Sequence, residues 1–279
     1  MLTISVAIVS EVPGHDERDV ARVTAALQRQ AIRDFRPVWN VEATVDAFPV
    51  LEDVPAGYWP IVIRDDIGVQ GAAGIHLDEA GQPFALVTMS NSWSLTASHE
   101  LLEMLADPFG NRLVPGTSPK AGQGRVEFLV EVCDPSEADD FGYTVNGILV
   151  SDFYTPHYFD PVKAPGVRYS FTGAVTAPRT IRKGGDLSWR HAPSRHWWQQ
   201  RWFGGPQPVF GDLGIFDASS GGSLRSWIDG QTEHPGIDTG LPKTNPVLRK
   251  AVAAGEESGI AGDAKARAWR EQIERILNP

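Results

Sequence analysis

The chain has a single cysteine, Cys133, in 279 residues, so no disulfide can form within it and a small disulfide-stapled scaffold is excluded. It also lacks any apolar run approaching the roughly 18 residues of a membrane-spanning helix, so no membrane partner is expected. Basic excess is missing as well: 25 Lys and Arg stand against 35 Asp and Glu, the net charge is −10 and the pI is near 5.2. A nucleic-acid surface shows as a basic patch, and none is found, so no nucleic acid is expected as partner. The first ten residues are apolar but carry neither the cationic region nor the small-residue cleavage site of an export signal, and they read as a strand. With a lone cysteine suited to a reducing compartment, a cytoplasmic location is expected. No internal repeat, low-complexity tract or glycine-rich phosphate loop before a helix is found.

What is present is a 42% hydrophobic composition, enough for a substantial core in one large domain or two small ones. The chain is organised around residues 97–108, an apolar helix-like stretch carrying His99, Glu100 and Glu103. Four residues apart on a helix, His99 and Glu103 lie about 40° apart in azimuth and about 6 Å along the axis, so both can reach one metal ion. Glu100 is turned about 100° further round, where a carboxylate can take a proton from activated water. Thr96 and Ser98 offer N-cap hydroxyls, and Asp107-Pro108 stops the helix. Asp107 is about 12 Å along the axis from His99, too far to share its ion, and reads as a cap or as a group that holds a ligand in place. A third ligand must come from elsewhere, and Glu131 and Asp134, about thirty residues on, are the candidates. Cys133 between them reads as a buried hydrophobe or as a soft ligand.

The helix resembles the His-Glu-x-x-His element of zinc metalloproteases, with Glu103 in place of the second histidine. Taken together, His99-Glu100-Leu101-x-Glu103, Ala106-Asp107-Pro108 and Glu131-x-x-Asp134 resemble a variant zincin family that extends to exordium-like, phosphate-induced proteins, and the likeness covers about residues 85–160. The resemblance implies an α+β fold, a zincin-like mixed sheet with an active-site helix. It also implies that Gly74, Ile75 and His76 line a sheet edge able to pair with an extended peptide.

Alternation predicts strands over residues 3–9, 39–48 and 59–63, and a helix over 16–35 with Val20, Val23, Leu27 and Ile32 near one face. Residues 74–77 and 84–89 form a hairpin that leads into the His99 helix, residues 111–124 read as loop, and residues 125–133 as a strand. A second hairpin turns at Asn146-Gly147. In the aromatic segment after it, Tyr154, His157 and Tyr158 are candidates to hold substrate or stabilise an oxyanion, against simple aromatic packing. The predicted metal-binding domain runs over 1–161. Residues 162–279, rich in Trp, Gly and Pro, read as an irregular extension that ends in a docking helix over 263–277 and offers a surface to a protein partner.

Two function classes follow. In the first, the chain is a metal-dependent hydrolase of peptide or protein substrates, with Glu100 as general base. In the second it is an inactive zincin-like scaffold serving a structural or interaction role. Two carboxylate ligands cancel a divalent charge and weaken the Lewis acid, which makes the site relatively friendlier to manganese (Mn2+) or calcium (Ca2+), with zinc (Zn2+) still the first choice.

Overall fold

The computed structural model describes residues 3–69, 72–79, 81–220 and 223–232, and the helix expected over 263–277 lies outside them. Mixed α+β architecture is observed, with few helices and several sheets. The first sheet holds β1 (Ile4–Ser10), β2 (Ala43–Phe48), β3 (Tyr58–Arg64), β4 (Gly74–Glu79) and β5 (Gln82–Thr88) in the order β2-β1-β3-β5-β4. Its first four members run parallel and β4 joins β5 antiparallel at the edge. Residues 6–9 of β1 are completely buried, because parallel strands are covered on both faces and so read as near-continuous apolar runs.

On one face of that sheet lie α1 (Glu17–Arg29) and its continuation. Asp16 caps α1 through a 2.9 Å bond from Arg18 N–H, and Val20, Val23 and Leu27 are buried as expected. Ile32 is instead 45% exposed. Residues 30–35 form a π-helical stretch, whose wider turn rotates the stripe and buries Ala31 and Phe35 in its place. The short α2 (Arg36–Trp39) carries the helical path to Asn40, whose φ of 55° ends it. The strand expected from residue 39 therefore begins only at Ala43.

The central helix α3 (Trp93–Ala106) is buried all round except at Ser94, as a helix between two layers must be. It starts before the predicted caps. Ser98 is interior: its Oγ donates to Gln30 Oε1 at 2.7 Å and accepts from Ser151 N–H at 2.9 Å. Asp107 does end the helix, and its carboxylate accepts the Arg112 N–H at 2.6 Å.

Beyond α3 the segment 111–124, read as loop, contributes β6 (Leu113–Thr117). Its partner β7 (Arg125–Leu129) is shorter than predicted, leaving residues 130–133 outside the ladder. The small hairpin of β8 (Tyr143–Val145) and β9 (Ile148–Val150) turns through Asn146 and Gly147, both at positive φ, 53° and 78°. These suit a type I′ turn.

The irregular reading of the later chain is corrected for residues 186–214. Strands β10 (Asp186–His191), β11 (His196–Arg201) and β12 (Val209–Gly214) form an antiparallel meander, and β10 adds to β7. The result is a second five-stranded sheet, β12-β11-β10-β7-β6, built from both sides of residue 161. Tryptophans at 189, 197 and 198 hid the strand period, because they pack on both faces. Helix α4 (Leu224–Gln231) is capped by Ser223 and lays Ile228 against Leu129 and Trp197 of the second sheet. One continuous core runs from the helical face of the first sheet through α1 and α3 to Val126, Phe128 and Trp189.

Candidate metal centre

His99 and Glu103 project from adjacent turns of α3, and His99 Nε2 lies 3.3 Å from Glu103 Oε2. His76 reaches the same oxygen from the other side, its Nδ1 at 3.4 Å, and stands 3.5 Å from Glu100 Oε2. Four ligand atoms arranged tetrahedrally at about 2.0–2.1 Å from zinc are about 3.3–3.4 Å apart, so each of these histidine-to-Glu103 spacings is an edge that an ion could span. Asp134 Oδ1 is 3.2 Å from His99 Nε2, and Glu131 Oε2 is 3.9 Å from His76 Nε2. The site residues expected as ligands and base, His99, Glu100, Glu103, Glu131 and Asp134, are thus brought together, each no more than 8% exposed.

These buried groups can hold a metal ion. Among the described residues, ligand atoms lie within 4.8 Å of one another in the sets His99, Glu103, Cys133; His76, Glu100, Glu103; His99, Asp134, Glu137; and Glu103, Glu131, Asp134. The hydrogen bonding points the same way. Both ring nitrogens of His76, Glu103 Oε2 and Glu131 Oε1 are buried without a hydrogen-bond partner among the described residues. Buried polar atoms are ordinarily satisfied, and a cluster of unsatisfied imidazole and carboxylate atoms is what a cation site leaves when only protein atoms are counted.

The backbone explains why these side chains converge. On β4, Gly74 and His76 share the face toward α3, while Ile75 and Leu77 turn into a smaller apolar cluster beneath the sheet. Gly74 is needed there because a Cβ would lie 2.5 Å from Glu100 Oε1 and 2.6 Å from the Thr96 methyl. Glu103 is held by the Cys133 N–H, which donates to its Oε1 at 3.2 Å. Cys133 itself is fully buried, its thiol 3.8 Å from the His99 carbonyl, and burial pushes that thiol well above its usual value.

Charge is tightly coupled in the cluster. Burial would depress both imidazoles, but carboxylates outweigh it: Glu131, Glu100 and Glu103 at His76, and Glu103 and Asp134 at His99, hold each well above the ordinary histidine value. Burial likewise opposes the Glu103 carboxylate, yet the two histidines and Arg225 hold it well below the usual range. Glu131 goes the other way, lifted by burial against the pull of Arg225.

Arg225 carries no signal in the ligand pattern and was not anticipated. From α4 its Nη1 lies 2.7 Å from Glu131 Oε2 and 3.2 Å from Asp134 Oδ2, while its Nε donates to Asp229. Only the Ser223 cap and the four-residue spacing of Arg225 and Asp229 could have marked this segment as a helix. A cavity of about 420 Å³ opens above the cluster, lined by Gly74, His99, Glu100, Asp134, Arg225 and Asp229 among others.

The aromatic candidates divide. Tyr154 is 1% exposed, its hydroxyl lacks a hydrogen-bond partner among the described residues, and, after burial and Tyr158, the charges of Glu131, Glu103 and Asp134 press its acidity down. Tyr158 stacks on Tyr154 and donates to the Thr180 carbonyl at 3.1 Å, and His157 is exposed and paired with Asp160 at 3.0 Å. Those two are not brought to the cluster. Elsewhere, Ser10 and His15 hydrogen-bond at 2.8 Å, but Ser10 Oγ also accepts the Val12 N–H, so the pair closes the β1–α1 turn. Among the described residues no helix is long and apolar enough to cross a membrane. Comparison with family models, curated proteins and solved structures gave no match for this chain.

Proposed function

We propose that the chain is a metal-dependent hydrolase acting on peptide or protein substrates, with a zincin-like arrangement of sheet edge and active-site helix. One observation carries the reading: two buried histidines and four buried carboxylates converge beneath a cavity, with unsatisfied ligand atoms at metal-ligand spacing. His99 and Glu103 are the first choice of ligands, with Glu131 or Asp134 completing the set, since Asp134 stands 3.2 Å from His99 and both acids fall within reach of Glu103. His76, expected from the sequence as a substrate contact, is better used as an alternative ligand beside Glu103, because its imidazole points at Glu103 and not at the cavity wall. Zinc is the first choice of ion, with manganese or calcium as alternatives for so carboxylate-rich a set. A divalent ion held there would supply Lewis-acid polarisation of the scissile carbonyl and lower the pKa of water.

The chain's own residues do the rest. Glu100 lines the cavity beside His99, where it accepts a proton from the attacking water and returns it to the leaving amine. Strand β4 is the sheet edge and Gly74 and Ile75 line the cavity, so an extended peptide can add to it through main-chain hydrogen bonds. The Tyr154 hydroxyl, buried and unpartnered, is the candidate donor to developing negative charge.

The test is bound metal, measured by elemental mass spectrometry on protein purified without an affinity tag, beside a His99→Ala variant. About one equivalent of zinc, lost in the variant, is expected. A Glu100→Gln variant should then keep its metal and lose roughly 10²- to 10⁴-fold in turnover of a peptide library. Absence of metal from the wild-type chain would reject the hydrolase. The inactive scaffold is the second reading, and Arg225 favours it: a guanidinium seated on two of the acids leaves the cluster less in need of an ion.

A further inference from the structure

We propose that Arg225 is an intrachain cation that competes with a divalent metal ion for Glu131 and Asp134, making metal loading conditional on its displacement. The inference rests on the metal site proposed above and concerns a residue that this site does not use.

Three observations carry it. The guanidinium forms an ion pair with Glu131 Oε2 at 2.7 Å and donates to Asp134 Oδ2 at 3.2 Å, so its positive charge already stands at the two acids an ion would need. Asp134 in turn stands 3.2 Å from His99, so an ion drawing on His99 and Asp134 would sit close to the guanidinium and repel it. The competitor is also delivered by a fixed element. Helix α4 is anchored by Ile228 in the cluster with Leu129 and Trp197, and at its end Gln199 Nε2 donates to Thr232 Oγ1 at 3.1 Å. Anchoring gives the guanidinium a high effective concentration at the two acids. Displacement does not require α4 to leave. Arg225 also lines the 420 Å³ cavity, so its flexible stem can swing the head outward while Ile228 and Thr232 stay in place.

A resident cation has a use while the ion is absent. Glu100, Glu103, Glu131 and Asp134 crowd a buried volume, and one guanidinium tied to Glu131, Asp134 and Asp229 offsets part of their repulsion. The same contact sets a threshold concentration below which the ion does not enter.

Zinc titration of the full chain against a chromophoric chelator tests the competition. Arg225→Gln is expected to bind zinc about 5- to 150-fold more tightly than wild type. Arg225→Lys, which keeps the charge but loses the fork, should fall between them. Unchanged or weaker zinc binding by Arg225→Gln would overturn the proposal, since a residue that only positions the two acids helps the ion. A second measurement uses the wild-type chain and no substitution: phenylglyoxal labelling of arginines, read by peptide mass spectrometry. Zinc should raise labelling at Arg225, and protection by zinc or no change would overturn the competition. Wild-type protein that binds zinc no better than His99→Ala removes the metal site itself and this inference with it. Zinc binding by wild type with no response to Arg225 removes only the inference.

Discussion

The two halves of the cluster are held by different means. His99, Glu100 and Glu103 ride on a fourteen-residue helix buried on nearly every side, so their relative positions follow from helix geometry and a filled core. Glu131 and Asp134 sit where β7 has left its ladder, fixed by contacts with segments far along the chain: Arg225 at the carboxylates and Gly185 against the backbone. A helix specifies its side chains locally, whereas a loop borrows its specification from whatever covers it. The helix-borne half should therefore tolerate changes in the second sheet, and the loop-borne half should not.

The largest effect is expected from removing the acid that links the halves. Glu103 is fully buried between His76 and His99 and accepts the Cys133 N–H. Glu103→Ala leaves two imidazoles and a backbone donor without their partner, which should cost about 3–5 kcal/mol of stability in the metal-free protein. Urea unfolding measures it. A loss under about 1 kcal/mol would mean that the halves are not joined by this charge.

Legibility from sequence followed the same division. The placing of His99, Glu100 and Glu103 together on α3, the following Asp107 cap, the hairpin before the helix and the Asn146-Gly147 turn could be read because each depends on spacing within a few residues. His76 was visible as a residue near the site but not as part of the cluster, since its distance from Glu103 is set by how β4 lies on α3. The pairing of β7 with β10 was not legible, because it joins residues some sixty positions apart. Arg225 was invisible for the same reason. A buried ion pair leaves no periodic trace in a chain.

A pair of glycine substitutions compares the halves directly. At Gly185 a Cβ would overlap the Asp134 carbonyl oxygen and lie 2.8 Å from the Pro135 carbonyl carbon, backbone atoms that cannot yield without moving the loop. Gly185→Ala is expected to cost about 1–3 kcal/mol and to displace Asp134, changing zinc affinity. At Gly74 the nearest atom is the tip of the Glu100 side chain, which can rotate away, although the Thr96 methyl is also crowded. Gly74→Ala should cost less than Gly185→Ala, leave zinc affinity unchanged and lower turnover by moving Glu100, the proposed base. Parallel titrations and unfolding curves check this, and equal loss of metal in both variants would erase the distinction.

The smallest effect is a pH dependence that should separate the metal-free protein from the loaded one. In the metal-free chain, neighbouring carboxylates raise His76 and His99 despite burial, and burial raises Glu131, Glu137 and Asp186 and pushes Asp229 up to about 6. All of these groups bind protons more readily folded than unfolded, so their contribution is greatest at low pH and is lost as pH rises through the folded values. Glu103 has the opposite sign, but its folded value is depressed, so its contribution is lost only as pH falls below the ordinary carboxylate range. Across the window from that range up through the raised histidine values, the net slope is therefore downward. Thermal unfolding of chelator-treated protein should give a lower midpoint near pH 8 than near pH 5.5. Zinc should flatten the difference and release protons on binding, because the ligands must be deprotonated to accept it. A metal-free midpoint that climbs between those pH values would show that the acids are not sharing their protons with His76 and His99, and the cluster would then have to be treated as separate pairs.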